Sequence, residues 1–105
     1  METCVITARF TRNLRPVGGC VLFTPNRLWV VYDGTTWACL APHIKLAPDG
    51  SFIAEVTPTD TDVVSWAYQV DTPAGTFELA VPYRSEPYTL RELVDGDHSG
   101  AGTPQ

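Results

Sequence analysis

Three blocks of strict alternation constrain this chain more than anything else in it: Phe52-x-Ala54-x-Val56, Trp66-x-Tyr68-x-Val70 and Phe77-x-Leu79-x-Val81. A period of two puts successive side chains on opposite sides of an extended backbone, so each block predicts a β-strand that is buried on one face. Turn residues separate the blocks. Pro48-Asp49-Gly50 precedes the first, Thr57-Pro58-Thr59-Asp60-Thr61-Asp62 follows it, and Pro73-Ala74-Gly75 divides the second from the third. In such triplets Pro presets φ, Asp bonds back to the backbone and Gly takes the left-handed conformation. The Thr57–Asp62 connector is too long for a hairpin loop and is expected to carry the chain from one sheet to another.

The remainder of the chain extends the same pattern. Cys4 to Thr11 reads as a first strand, with Cys4, Ile6, Ala8 and Phe10 on its apolar face. Leu14-Arg15-Pro16-Val17-Gly18-Gly19 is a breaker cluster. Cys20 to Thr24 is apolar at nearly every position, which predicts a strand covered on both faces or central in its sheet. Leu28–Tyr32 and Thr36–Leu40 flank Asp33-Gly34, a pair that tolerates the two positive φ angles of a type I′ turn, so this stretch predicts a β-hairpin. Ile44–Ala47 adds a short strand. Seven or eight short strands separated by turns predict an all-β, Greek-key (Ig-like or transthyretin-like) sandwich. A single helical turn is expected after it, with Thr89 as N-cap and Glu92 as its capping-box partner. Residues 1–95 form the predicted sandwich domain, and 96–105, rich in Gly, Asp, Ser and Thr, a flexible C-terminal tail.

Composition narrows the function classes. A chain of 105 residues has room for one core, and 44% hydrophobic with 18% charged residues is enough to fold it. The net charge of −5 argues against nucleic-acid binding, which depends on Lys and Arg neutralising phosphates. No apolar run reaches membrane-spanning length. The start, Met1-Glu2-Thr3-Cys4, has neither the basic nor the apolar region of a secretory signal. Cys4, Cys20 and Cys39 match neither a disulfide framework nor a zinc pattern and are expected as buried thiols made in a reducing compartment. Basic residues gather early (Arg9, Arg12, Arg15), while Glu86, Glu92, Asp95 and Asp97 lie late. Six Arg against one Lys (Lys45) suggest a GC-rich coding sequence.

The ordered series Phe23-x-Pro25, the Asp33-Gly34 hairpin, Leu46-x-x-Asp49-Gly50-Ser51-Phe52, Thr59-Asp60, Trp66-x-Tyr68-x-Val70, Phe77-x-Leu79-x-Val81-Pro82 and Leu90-x-x-Leu93 resembles the small β-sandwich domain of minor tail proteins from phages infecting actinobacteria. The resemblance spans roughly residues 5–94. It implies a non-enzymatic virion protein, synthesised in the host bacterial cytoplasm and assembled into the tail or its tip by protein–protein contacts. It implies virion proteins as partners and a homo-oligomer in the particle. Capsid decoration or a head–tail adaptor is the related alternative.

Catalytic chemistry has few candidates. His43 and His98 lack further ligands at metal spacing, and no nucleophile motif is present, so neither catalytic residues nor a cofactor is expected. Asp60 and Asp62 lack the other ligands of a calcium loop and read as Asx-turn residues. Trp66 shares the alternation of Tyr68 and Val70 and is assigned to the core. Trp29, Trp37, Tyr83 and Tyr88, with Arg9, Arg12 and Arg15, are the candidate interface residues, because aromatic rings and Arg are enriched at binding hot spots. The same rings could instead stack on sugars, which makes a carbohydrate-binding adhesin on host-wall glycan the other alternative.

Overall fold

The computed structural model describes residues 2–60 and 66–95. Among these residues eleven strands and one short helix follow in the order β1 (Cys4–Arg9), β2 (Thr11–Arg12), β3 (Arg15–Pro16), β4 (Cys20–Pro25), β5 (Trp29–Tyr32), β6 (Thr35–Ala38), β7 (His43–Lys45), β8 (Ser51–Val56), β9 (Tyr68–Thr72), β10 (Gly75–Leu79), β11 (Tyr88–Thr89) and α1 (Leu90–Asp95). The fold is all-β. One sheet has the order β11-β1-β8 and a second β10-β9-β4-β7, while β2-β3 and β5-β6 form separate two-stranded ribbons.

Alternation builds the core from both sheets. In the first, β1 and β8 run antiparallel with Cys4 opposite Val56, Ile6 opposite Ala54 and Ala8 opposite Phe52. Pairing Ile with Ala and Phe with Ala leaves room above each small residue for a side chain of the facing sheet. The second sheet supplies it: Phe23 on β4 meets Phe52 edge-on, with ring centroids 6.0 Å apart and planes at 76°. Phe23 also meets Tyr68 edge-on at 6.0 Å, Trp66 leans on Tyr68 at 5.1 Å, and Phe10 stacks on Phe52 at 6.1 Å. Edge-to-face and offset geometry suits the ring quadrupoles and adds about 0.5–1.5 kcal/mol per pair beyond burial. Trp66 is buried as its alternation predicts, and its Nε1–H finds no hydrogen-bond acceptor among the described residues.

The Tyr68 hydroxyl ties three segments together. It accepts a hydrogen bond from the Thr57 N–H (3.0 Å) and donates one to the Leu40 carbonyl (2.7 Å). The Thr57 hydroxyl in turn accepts from the Leu40 N–H (2.9 Å). Thr59 repeats the device, exchanging bonds of 2.8 Å with both the N–H and the C=O of Val81. These buried threonines satisfy backbone groups where the chain leaves β8, in the first sheet, on its way to β9 in the second. The connector therefore crosses between sheets as expected. Its residues 61 and 62 lie outside the described part.

Local turn chemistry also agrees with the sequence. Gly50 has φ +84°, and Asp49 accepts from the Ser51 N–H (3.0 Å) and hydroxyl (2.5 Å), bonds that hold its carboxyl below the usual carboxylate range. A Cβ on Gly50 would overlap the Phe10 carbonyl oxygen, because that carbonyl and its amide close against the turn. Asp33 and Gly34 have φ of +52° and +74° between the paired residues Tyr32 and Thr35, the predicted type I′ hairpin. At α1 the capping box forms as well, with the Glu92 N–H donating to the Thr89 hydroxyl (3.2 Å) and the Thr89 N–H to Glu92 Oε1 (2.8 Å). Leu90 and Leu93 dock the helix on the core.

One expectation is decided between its two alternatives and two need correction. β4 is central in its sheet but covered on one face only, because Cys20, Leu22 and Thr24 face outward while Val21 and Phe23 are buried. Cys20 is thus exposed and Cys39 only partly buried, so Cys4 alone is a core thiol. The first strand ends at Arg9, since the Phe10 N–H turns to the Gly50 carbonyl (2.8 Å) and Thr11 starts a separate ribbon with β3. The proposed tail at 96–105 lies outside the described residues.

Substituting Tyr68→Phe removes the hydroxyl and strands a buried N–H. We expect a loss of about 1–3 kcal/mol in urea unfolding. Tyr83→Phe, on an exposed ring, is expected to stay within about 0.5 kcal/mol of the parent.

Candidate interface

The sequence candidates separate into three places. The first is the β5-β6 ribbon. Cross-strand partners share a face, so Val30 and Trp37 lie on one side, Trp29 and Ala38 on the other. Val30 is fully buried and pins the ribbon to the body. Hydrogen bonds secure its base: Asn26 exchanges bonds with both backbone groups of Ala67, and the Phe23 N–H donates to Pro42 O (3.0 Å) just beyond the hairpin. Above this base the ribbon is exposed and apolar. Trp29 is 56% exposed and Trp37 39%, with Leu28, Val31, Tyr32 and Leu40 also accessible. Such a concentration on one element is unlike scattered surface leucines and makes the ribbon the candidate interaction surface. Trp37, Ala38 and Leu40 also wall an open cleft of about 270 Å³, with Thr3, Glu55 and Thr57 across it.

The second place is the β2-β3 ribbon, where Arg12 sits opposite Arg15, with Arg9 at the end of β1. All three arginines are exposed. The turn between them is Asn13-Leu14, both with positive φ (+52° and +64°). Asn tolerates this conformation. Leu does not, since its Cβ crowds the following carbonyl at a cost of about 1–2 kcal/mol. Leu14 is nonetheless 98% exposed, so no packing in the chain itself repays that strain. The sequence reading missed this arm because it contains no glycine. Its one signal is Asn13, placed between two arginines.

The third place joins Tyr83, Tyr88 and a residue the sequence reading passed over, Arg84. The Arg84 guanidinium lies 4.0 Å from the Tyr88 ring centroid and forms a two-pronged pair with Glu92 at 3.2 Å. It also donates to the Glu86 (3.3 Å) and Pro87 (2.7 Å) carbonyls. The Tyr88 hydroxyl donates to Pro82 O (2.7 Å), and burial pushes its phenol above the ordinary range. Tyr88 is therefore a structural ring with one face covered, while Tyr83 remains exposed and fastened by its N–H to Asp60 (3.0 Å). The three places do not merge into one site. His43 lies exposed on β7, and no three His, Cys, Asp or Glu side chains gather among the described residues. His98 and Asp62 lie outside them.

No protein-family model matches the chain, and no curated protein matches it in sequence.

Two measurements follow from this geometry. Glu92 is drawn down to about 2, first by the Arg84 bonds and then by the Thr89 N–H. A carboxyl held low in the folded chain stabilises it above the ordinary carboxylate value and loses that contribution as acid protonates it. The α1 amides are therefore expected to lose exchange protection between about pH 4.5 and 2. Glu92→Gln, which keeps the cap but not the charge, flattens that dependence. Separately, Leu14→Gly relieves the positive φ and is expected to raise stability by about 0.5–1 kcal/mol in urea unfolding, less than the full strain because Gly also loosens the unfolded chain.

Proposed function

We propose that this protein is a non-enzymatic structural component of a tailed-phage virion, a minor tail or tail-tip protein assembled through protein–protein contacts. In this reading its two sheets form a Greek-key, Ig-like sandwich that serves as a rigid block, and the two ribbons are its working parts. The observation that carries the proposal is the β5-β6 ribbon, which holds Trp29 and its apolar neighbours in water on a small folded body. An exposed indole among aliphatic side chains is a typical docking anchor. The strained Leu14 turn between Arg12 and Arg15 supports the same view, because strain retained at an exposed position points to selection for a contact rather than for stability.

Sugar recognition fits this geometry less well. Stacking on a glycan calls for rings arranged as a common platform, whereas Trp29 and Trp37 lie on opposite faces of the ribbon and Arg84 covers Tyr88. Capsid decoration or a head–tail adaptor would use the same docking surfaces. Mass spectrometry of purified particles tests the proposal: the polypeptide is expected there in defined copy number, and its absence overturns the reading. Trp29→Ser is expected to leave the urea midpoint unchanged while lowering incorporation into particles at least tenfold.

A further inference from the structure

We propose that β6 pairs antiparallel with β6 of a second copy about a two-fold axis through Trp37, joining two ribbons into one four-stranded sheet. The inference extends the assembly role proposed above by naming one partner and one edge, and its evidence is the edge itself.

The hydrogen-bond parity of the hairpin decides which groups are available. A two-residue type I′ turn makes Tyr32 and Thr35 a hydrogen-bonded pair, and pairs then alternate along the ladder. Cys39 donating to Leu28 O (2.9 Å) fits that phase. The N–H and C=O groups of Thr36 and Ala38 consequently point away from β5. No third strand joins the ribbon among the described residues. On the β5 side, Val31 already has an interaction partner. β6 is exposed at all four positions and is the edge we take as open.

Strand edges in soluble proteins are normally blunted by charge or proline. Outside this ribbon the outer strands follow the rule: β7 carries His43 and Lys45 after Pro42, β8 carries Glu55, β10 carries Glu78, β11 follows Pro87, and the β2-β3 ribbon carries Arg12, Arg15 and Pro16. Within the ribbon neither strand carries charge or proline, and with Val31 of β5 already partnered the unguarded stretch is Thr35-Thr36-Trp37-Ala38, exposed at every position. The absence of charge matters most for self-pairing, because a two-fold sets each residue against a copy of its own strand and like charges would then face each other. With the axis at Trp37, Thr36 exchanges both backbone bonds with Ala38 of the second copy. The two indoles meet as a non-hydrogen-bonded pair, the arrangement that brings side chains closest. Small residues on either side leave space for the rings.

Area sets the strength. A stable interface takes about 800 Å² from each partner, and a four-residue edge with one indole supplies less. The pairing is therefore expected to be reversible in solution and to be strengthened by high local concentration in an assembly.

Light scattering on the full chain after size exclusion, from about 5 µM to 500 µM, tests this in the range where a small interface populates its complex. The mass is expected to double across that range. A single-copy mass throughout overturns the proposal. Thr36→Pro deletes an outward N–H while leaving the β5 ladder whole, and Thr36→Lys places a charge on the edge with little demand on folding. Both are expected to weaken association at least tenfold with an unchanged melting temperature, and Trp29→Ser to leave it intact. Dimerisation that survives both Thr36 variants but is lost in Trp29→Ser overturns edge pairing. Thr35→Cys reports the register, since position 35 would face Cys39 of the second copy, which is in no disulfide. Mild oxidation is expected to give a covalent dimer that disappears in a Cys39→Ser background, and failure to cross-link in a doubled-mass sample overturns the Trp37-centred axis. A monomer in solution whose polypeptide is still found in purified particles sinks this pairing alone. Absence from particles sinks the structural role and leaves the self-pairing to be judged by mass.

Discussion

Tyr68 is the side chain on which the rest of the arrangement depends. Its ring packs between Phe23 and Trp66, and its hydroxyl bonds the connector at Thr57 and the hairpin base at Leu40. A phenol can do both because it is apolar along its body and polar at its tip. Burial raises its pKa, so it remains a neutral donor toward Leu40 O while accepting from Thr57 N–H. Three segments far apart in sequence are thereby held in one geometry. Replacing this group by an apolar ring would keep the packing and lose the link between sheets and ribbon.

That link explains how an isolated two-stranded ribbon persists. Such hairpins are marginal in water on their own. Here Val30 is buried in the common core, and hydrogen bonds at Asn26, Leu40 and Pro42 fasten both strands at the base of the ribbon. The anchoring leaves β6 and most of the ribbon's large hydrophobic side chains exposed. The Asn13-Leu14 arm follows the same logic in miniature. The Val17 N–H bonds the Phe10 carbonyl (3.0 Å), closing the ribbon at its base and holding a leucine out in solvent.

The core was largely legible from residue order because alternation and turn chemistry are local properties. Phe52, Trp66, Tyr68 and Val70 declare their inward faces by period, and Asp33-Gly34, Asp49-Gly50 and the Thr89–Glu92 cap declare their own backbone geometry. Where pattern was weak, the reading failed for identifiable reasons. The continuous apolar run Cys20–Thr24 suggested a strand covered on both faces or central in its sheet; β4 is central, and hydrophobicity alone cannot say whether a second layer covers its other face. The Leu14 arm was hidden because a bulky residue at positive φ violates the rule by which turns are recognised.

The candidate interface residues divide along the same line. Trp29 and Trp37 were identifiable as hairpin aromatics, but their placement on opposite faces depends on the pairing register, and their exposure on how the ribbon meets the body. Tyr88 looked like a surface ring until Arg84 and Pro82, brought close by the fold, claimed its face and hydroxyl. The sequence by itself determined the strands, the tight turns and the inward set of apolar side chains, since these follow from backbone preference and a two-residue period. Only the tertiary structure decided which edges remain open and which aromatics reach solvent, because exposure and edge pairing are set by neighbours distant along the chain.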